Sequence, residues 1–228
     1  MAKVDPITNL LVATYPAALL HLAGIFPPGP VRAVHPRLSQ TTRTPDGLVE
    51  WDPVPEGGLP SRYLMEVASV GESRVLNQMF EDLILARLCL HKVPPALLYI
   101  LEPHSQAALE PSRVEESEDG RTGIAVWWEV VKVYERNAEA ILALEEAGLT
   151  PLLFAAQTTL PPAELAQRAA TLVAAQTHGP ARTDLLAACQ VMAERRYNDP
   201  ELFRILGGRE MVAESRIIQE IVEEKTRE

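Results

Sequence analysis

The sequence predicts an α/β fold, a mixed sheet flanked by helices with a helical C-terminal region, and three observations predict it. Between Val31 and Ala68 the apolar residues come in short, often alternating stretches separated by turn residues, the pattern of strands. From Ser73 to Leu90 an amphipathic stripe precedes the continuous apolar run Ala96-Leu97-Leu98-Tyr99-Ile100-Leu101, which is the order of a crossover unit. Beyond Arg136 the composition shifts to Ala, Leu and Glu, punctuated by Pro161-Pro162, Gly179-Pro180 and Gly207-Gly208, as in successive helices. The 228 residues can bury a real core. We divide them into an α/β core over 1–135 and a helical region over 136–228 that packs on the core or on a partner.

Asp5-Pro6 opens the first helix, with Asp as N-cap and Pro at the first helical position, and the helix is expected to reach Ala23 with a kink at Pro16. Gly24 and the Pro27-Pro28-Gly29-Pro30 cluster stop it. Val31 to Val34 reads as a first strand, Gly47 to Trp51 as a second and Arg62 to Ala68 as a third. The Pro- and Gly-rich stretch from Pro53 to Pro60 is a reversal, so the second and third strands form an antiparallel hairpin. After the long helix, Val93-Pro94-Pro95 leads into the fourth strand, which should run parallel to a strand of the hairpin. Residues 103–123 are polar and acidic and read as a loop or hairpin tip. Ile124 to Tyr134 is β-branched and aromatic, so it reads as a fifth strand. Helices follow at 137–146, 162–176, 180–196 and 209–225, with short extra turns at 150–156 and 200–206.

The chain carries 31 acidic against 21 basic side chains, a formal net charge of −10. That balance argues against coating nucleic acid or anionic membrane by bulk charge, because each phosphate contact needs a Lys or Arg to displace counterions. Any nucleic-acid site has to be local. The apolar run Ile7 to Phe26 is interrupted by Pro16 and His21, and we read it as a buried amphipathic helix of a cytoplasmic protein, not a membrane anchor. Cys89 and Cys189 lie in apolar stretches without a second ligand at metal spacing and read as buried reduced thiols, with a disulfide between them as the alternative. The five histidines do not pair at ligand spacing. A phosphate-binding Gly-rich loop and a nucleophile elbow are both lacking.

Chemistry is left to the hairpin carboxylates: Asp46, Glu50 and Asp52 on or beside its first strand, and Glu66 near the end of its second. Glu66 stands in Tyr63-Leu64-Met65-Glu66-Val67-Ala68, where a carboxylate is costly unless it meets an edge, a cation or a metal. Asp46 and Glu66 fall at the same end of the hairpin, and two such acids can hold a hard divalent ion such as Mg²⁺ through oxygen ligands. A solvent-facing hairpin gives the same pattern. Trp51, Trp127 and Trp128 can stack on bases, but one Trp of the 127–128 pair reads more simply as core and the other as a surface or dimer contact. Arg195-Arg196 suits the negative end of a helix dipole. The acidic last helix, with Met211, Ile217-Ile218 and Ile221-Val222, suits packing on the body or a partner helix, so a homo-oligomer through the C-terminal helices is expected.

In the order of its elements and in several segments the chain resembles the PD-(D/E)XK nuclease superfamily, and within it the bacterial recombination-promoting nuclease and transposase family. The segments are Asp5 to Pro16, Arg43-Thr44-Pro45-Asp46-Gly47-Leu48-Val49, Tyr63 to Ala68, Val93 to Leu101, Trp128 to Glu135 and Glu214 to Ile221. The resemblance implies a restriction-endonuclease-like fold, DNA as substrate, and Asp46 and Glu66 as catalytic acids that bind Mg²⁺. Three positions depart from it. Ala68 stands where Lys or Gln follows the Glu by two residues, Asn9 where the first helix has Lys, and Gln78-Met79 where the next helix has Arg-Met. An Ala side chain neither stabilises developing phosphoryl charge nor orients water, so either the metal ion activates water by itself, or a nearby side chain such as Arg74 or Lys92 substitutes, or the fold persists as a non-enzymatic interaction protein.

Overall fold

A computed structural model of the chain describes residues 6–34, 47–51, 62–103, 110–117, 120–208 and 215. Two compact units emerge: one is Phe26–Lys132, and the other joins Met1–Ile25 to Val133–Glu228. The chain opens with α1 (Pro6–Thr14) and α2 (Pro16–Leu22). The single kinked helix expected here is instead two. Pro16 donates no N–H and restricts the residue before it, and Tyr15 accordingly leaves the helical region at φ −126°, ψ 44°.

The unit Phe26–Lys132 contains β1 (Val31–Val34), β2 (Gly47–Trp51), β3 (Arg62–Val70), α3 (Ser73–Leu90) and β4 (Ala96–Glu102). It continues with β5 (Ser112–Glu116), β6 (Gly123–Trp127) and β7 (Glu129–Lys132). Five strands form a mixed sheet in the order β1-β2-β3-β4-β7, while β5 and β6 form a separate antiparallel ribbon. As the hairpin expectation required, β2 pairs antiparallel with β3, with Gly47 opposite Met65 and Leu48 opposite Leu64. The crossover through α3 brings β4 parallel to β3, and β7 then adds parallel to β4. Leu97, Leu98, Tyr99, Ile100 and Leu101 are all buried, as befits a strand with neighbours on both edges.

The run Ile124 to Tyr134 does not form one strand. Its first part pairs with β5 and its second with β4, and the two part at Trp128, whose N–H donates to Pro111 O at 2.9 Å. Burial divides in the same way: Trp127 is 70% exposed on the ribbon and Trp128 only 6%. Hydrophobicity alone does not distinguish a strand that changes partners from one that continues. Part of the stretch expected as loop, Ser112–Glu116, is the strand that receives β6. The ribbon is tied to α3 by Arg113, whose guanidinium lies 5.4 Å from the centre of the Phe80 ring.

In the other unit, a 3-10 segment (Ala147–Phe154) is buried at every residue. Around it run α4 (Ala138–Leu142), α5 (Pro162–Gln176), α6 (Gly179–Tyr197) and α7 (Pro200–Ile205). Such a segment has no solvated face, so its polar groups need internal partners. Thr150 Oγ1 donates to Ala147 O at 2.7 Å, and Gln176 Oε1 accepts from the Ala147 N–H at 2.9 Å. Arg196 Nη1 donates to Phe154 O at 3.2 Å and to Ala156 O at 2.6 Å, so one of the two arginines at the end of α6 serves the 3-10 segment. Both cysteines are free; Cys189 is buried and Cys89, expected to be buried, is exposed on the outer side of α3. Burial pushes the Cys189 thiol up to about 12, which keeps it protonated and inert. The expected helix 209–225 lies outside the described residues apart from Ser215, whose hydroxyl donates to Asp184 Oδ1 at 3.0 Å. Among the described residues no helix is long and apolar enough to cross a membrane.

Asn137 caps α4 by accepting from the Ala140 N–H, and Glu139 in the next turn ties down the segment before α5. Its Oε1 accepts from the Thr159 N–H at 3.0 Å, from Thr159 Oγ1 at 2.9 Å and from Thr158 Oγ1 at 3.1 Å. Hydrogen bonds from the Thr159 N–H first, then from Glu139's own N–H and from the Thr159 and Thr158 hydroxyls, lower the Glu139 pKa from the usual 4.5 to about 2. A depressed folded-state pKa contributes stability that is complete above 4.5 and is lost as pH falls through about 2. Glu139→Gln is therefore expected to flatten the acid limb of stability between those values. Urea midpoints at pH 5, 4, 3 and 2 check it, and a wild-type slope in the variant would refute it.

Candidate functional site

Glu66 lies on β3 between the buried Met65 and Val67 and is itself only 6% exposed. Successive strand residues point to opposite faces, so Leu64, Glu66 and Ala68 share one face of the sheet and Met65 and Val67 the other. Gln78, in the second turn of α3, places its Nε2 2.9 Å from Glu66 Oε1 and donates to it. The carboxylate is thus a built feature of the β3–α3 unit, with its orientation set by a side chain from the helix that follows. Leu48 pairs with Leu64 and Glu50 with Arg62, which places the β2 side chains of that row on the same face. Asp46 and Asp52 lie outside the described residues.

Glu50 has a different environment from Glu66. It is held between strands by Arg32 of β1 and Arg62 of β3, with the Arg62 Nε–Oε2 distance at 3.0 Å. These hydrogen bonds, that from Arg32 first, lower its pKa. Two guanidiniums already satisfy this carboxylate, so it is no ligand in waiting. On the opposite face Trp51 stacks on Tyr63 with ring centres 5.5 Å apart, and both are buried. Trp51 is therefore core, not a base platform.

Ala68 is 9% exposed and pairs with Ile100 of β4, so a methyl group occupies the position two residues beyond Glu66. The two cations considered as substitutes are not equivalent. Lys92 follows the C-terminal end of α3, fourteen residues after Gln78, which the helical rise of about 1.5 Å per residue turns into roughly 20 Å. It is out of reach. Arg74 stands one turn before Gln78 on the same side of α3 and is exposed.

Two residues on this unit escaped the sequence reading. Asp82, one turn after Gln78, is 3% exposed and belongs to the buried stripe with Val75, Met79, Leu83 and Ala86. The signal lies in the sequence, since position 82 falls within the apolar stripe of the helix. Lys132 ends β7 and is paired with Ile100, which is paired with Ala68. This lateral alignment is a property of strand register across three separated segments and leaves no local trace in the sequence.

Gln78→Ala would leave Glu66 Oε1 without its amide donor in a place water barely reaches. The expected cost is about 1.5–3 kcal/mol, the scale of one hydrogen bond to a charged group. A urea midpoint lowered accordingly, with an unchanged slope, checks it; a midpoint equal to wild type would show that the pair holds nothing. Among the described residues no group of three or more His, Cys, Asp or Glu side chains is placed to hold a metal ion. Compared with known proteins, the chain matches no family model, no curated protein and no solved structure.

Proposed function

We propose that the chain is a metal-dependent DNA endonuclease of the PD-(D/E)XK type, slowed by the loss of its basic residue at position 68, with Asp46 and Glu66 as the acids of its site. The observation that carries this reading is Glu66 itself: a carboxylate buried on the third strand of a mixed sheet and oriented by Gln78. Burying an acid in a strand costs several kcal/mol unless a positive partner repays it, and a structural role alone is served by an apolar residue. The order of hairpin, crossover helix and parallel strand supports the same reading. It requires the β2–β3 register to continue by one pair, from Gly47 and Met65 to Asp46 and Glu66, since directly opposed residues project from one face.

The donor set fits the ion. Carboxylate oxygens suit Mg²⁺, which keeps most of its waters and is commonly held by only one or two protein acids. When bound, Mg²⁺ lowers the pKa of water and offsets charge on the phosphodiester. The protein's part is positional. Gln78 fixes Oε1 of Glu66, and the residues on either side of it on β3, Met65 and Val67, are buried. Nicking of supercoiled DNA in Mg²⁺, lost in Glu66→Ala, tests the proposal; undiminished nicking by the variant overturns it.

One observation favours a second reading, a non-enzymatic oligomer that keeps the fold. Ala68 is nearly buried, and its methyl group offers nothing to a phosphate. On that reading light scattering shows a stable oligomer through the C-terminal helices, and a titration with duplex DNA shows no salt-dependent affinity.

A further inference from the structure

We propose that the outer edge of β5 docks a second copy of this chain, the two β5 strands pairing antiparallel about a two-fold axis at Val114. This surface is separate from the C-terminal helices, and the inference goes beyond the endonuclease reading without depending on it.

β5 and β6 form a ribbon of two strands, and among the described residues no strand lies along the outer edge of β5. Two hydrogen bonds at the ends of the ribbon show which backbone groups that edge presents. The Trp128 N–H donates to Pro111 O at 2.9 Å, and the Ser117 N–H donates to Thr122 O at 2.7 Å. Hydrogen-bonded and non-hydrogen-bonded pairs alternate along an antiparallel ladder, so Arg113 and Glu115 turn their backbone groups toward β6. Ser112, Val114 and Glu116 turn theirs outward. One face of the ribbon is covered, since Val126 is buried and Arg113 lies over Phe80. The other face is open, with Val114 59% and Trp127 70% exposed. A ribbon of two strands is marginal in water, and a strand added at an open edge supplies both hydrogen bonds and apolar contact.

The order of charges along β5 identifies the strand that fits. Three antiparallel registers set outward-turned groups opposite one another near the middle of the strand, with Arg113, Val114 or Glu115 on the axis. The axis at Arg113 or at Glu115 sets that residue directly against its own copy, and like charges so placed are destabilising. The axis at Val114 sets Arg113 against the partner's Glu115 and Glu115 against the partner's Arg113, with Ser112 facing the partner's Glu116. Arg113 and Glu115 already pair within the strand, Nη2 to Oε1 at 2.9 Å, so the two pairs join into one group of alternating charges. The strand is thus its own complement, which is the requirement of an isologous interface. The edge of β6, Gly123–Trp127, bears no charge to fix a register. A pairing of five residues is a small interface, so the dimer is expected to dissociate in the micromolar range.

Sedimentation equilibrium of the full-length chain across micromolar concentrations tests this, with circular dichroism as the check on folding. The wild type should approach twice the chain mass of 25.1 kDa as concentration rises. Val114→Lys sets two ammonium groups against each other on the axis, at a side chain exposed enough for the fold to tolerate it. It should raise the dissociation constant at least about tenfold. Arg113→Glu and Glu115→Arg should each weaken the dimer in the same way when alone. Mixed in equal amounts they should associate, because every charge of one then faces its opposite on the other, and the double change Arg113→Glu with Glu115→Arg should dimerise as the wild type does. A wild type that stays monomeric, a dimer undiminished in Val114→Lys, or a mixture no more associated than its two components would each overturn the proposal. None of these outcomes bears on nicking by Glu66, so the endonuclease reading stands or falls by its own test.

Discussion

Glu66→Ala is expected to fold and to lose Mg²⁺-dependent nicking by about 10³-fold or more. The magnitude is that of removing one preorganised electrostatic group from a reacting phosphate, compounded by weaker binding of the ion. Stability is affected by two opposing terms. The Gln78 amide loses its acceptor, at about 1–3 kcal/mol, but a carboxylate 6% exposed is no longer kept from water. Glu66→Gln separates structure from chemistry. Its side-chain carbonyl still accepts from Gln78 and its volume is nearly unchanged, so a purely structural Glu66 predicts wild-type behaviour in every assay. A metal-binding Glu66 predicts a folded protein with nicking as low as in Glu66→Ala, because a neutral amide is a poor ligand for Mg²⁺ in place of a carboxylate. Circular dichroism and nicking rates on the two variants decide it, and a Gln variant that nicks at the wild-type rate would end the assignment.

The expectations that held are those set by local pattern. Arg62 to Ala68 and Ala96 to Leu101 are apolar on both faces and bounded by Pro or Gly, so their strands were legible, and the stripe over 73–90 is a helix of those bounds. Proline marked the break at Pro16, although its effect is a second helix and not a bend. What was not legible depends on partners distant in the chain. Trp127 and Trp128 look alike in sequence, yet one belongs to the ribbon and the other to the start of the strand that joins β4. Cys89 sits among Leu88 and Leu90, which made it look buried. It falls instead on the exposed side of the last turn of α3, beside Leu88 at 65% exposure.

The same division runs through the site. Glu66 could be singled out because an acid inside an apolar strand is costly wherever the strand goes. Its support could not: Gln78 was read as a lost arginine, and the geometry gives it a positive role as the donor to Glu66 Oε1. Glu50 shows the converse, a hairpin acid that looked available until Arg32 of β1 and Arg62 of β3 were found on either side of it. Carboxylates of equal promise in sequence are separated only by what the neighbouring strands bring.

Gly148→Ala is expected to be the most destabilising single-methyl addition in the helical unit. Gly148 lies in the buried 3-10 segment, and a Cβ there would stand 2.5 Å from both Cβ and Cγ of Tyr15. Those atoms sit at the root of the Tyr15 side chain and cannot swing aside as a flexible tip would. Tyr15 is also fixed by its backbone, whose N–H donates to Leu11 O at 2.9 Å and whose carbonyl accepts from Leu19 N–H at 3.3 Å, one bond to each of the helices it joins. Relief therefore requires α1 and α2 to move relative to the 3-10 segment. Overpacking of this kind costs roughly 3 kcal/mol, and for a chain of this size each kcal/mol lowers Tm by about 2–4 °C, so a fall of roughly 6–12 °C is expected. The cause can be isolated by a cycle with Tyr15→Ala. That change alone empties the space beside Gly148 and is destabilising, but in its background the added methyl meets no ring, so the double variant should be more stable than the sum of the two single losses by more than 1 kcal/mol. Strict additivity would show that the cost of the added methyl does not come from its clash with Tyr15.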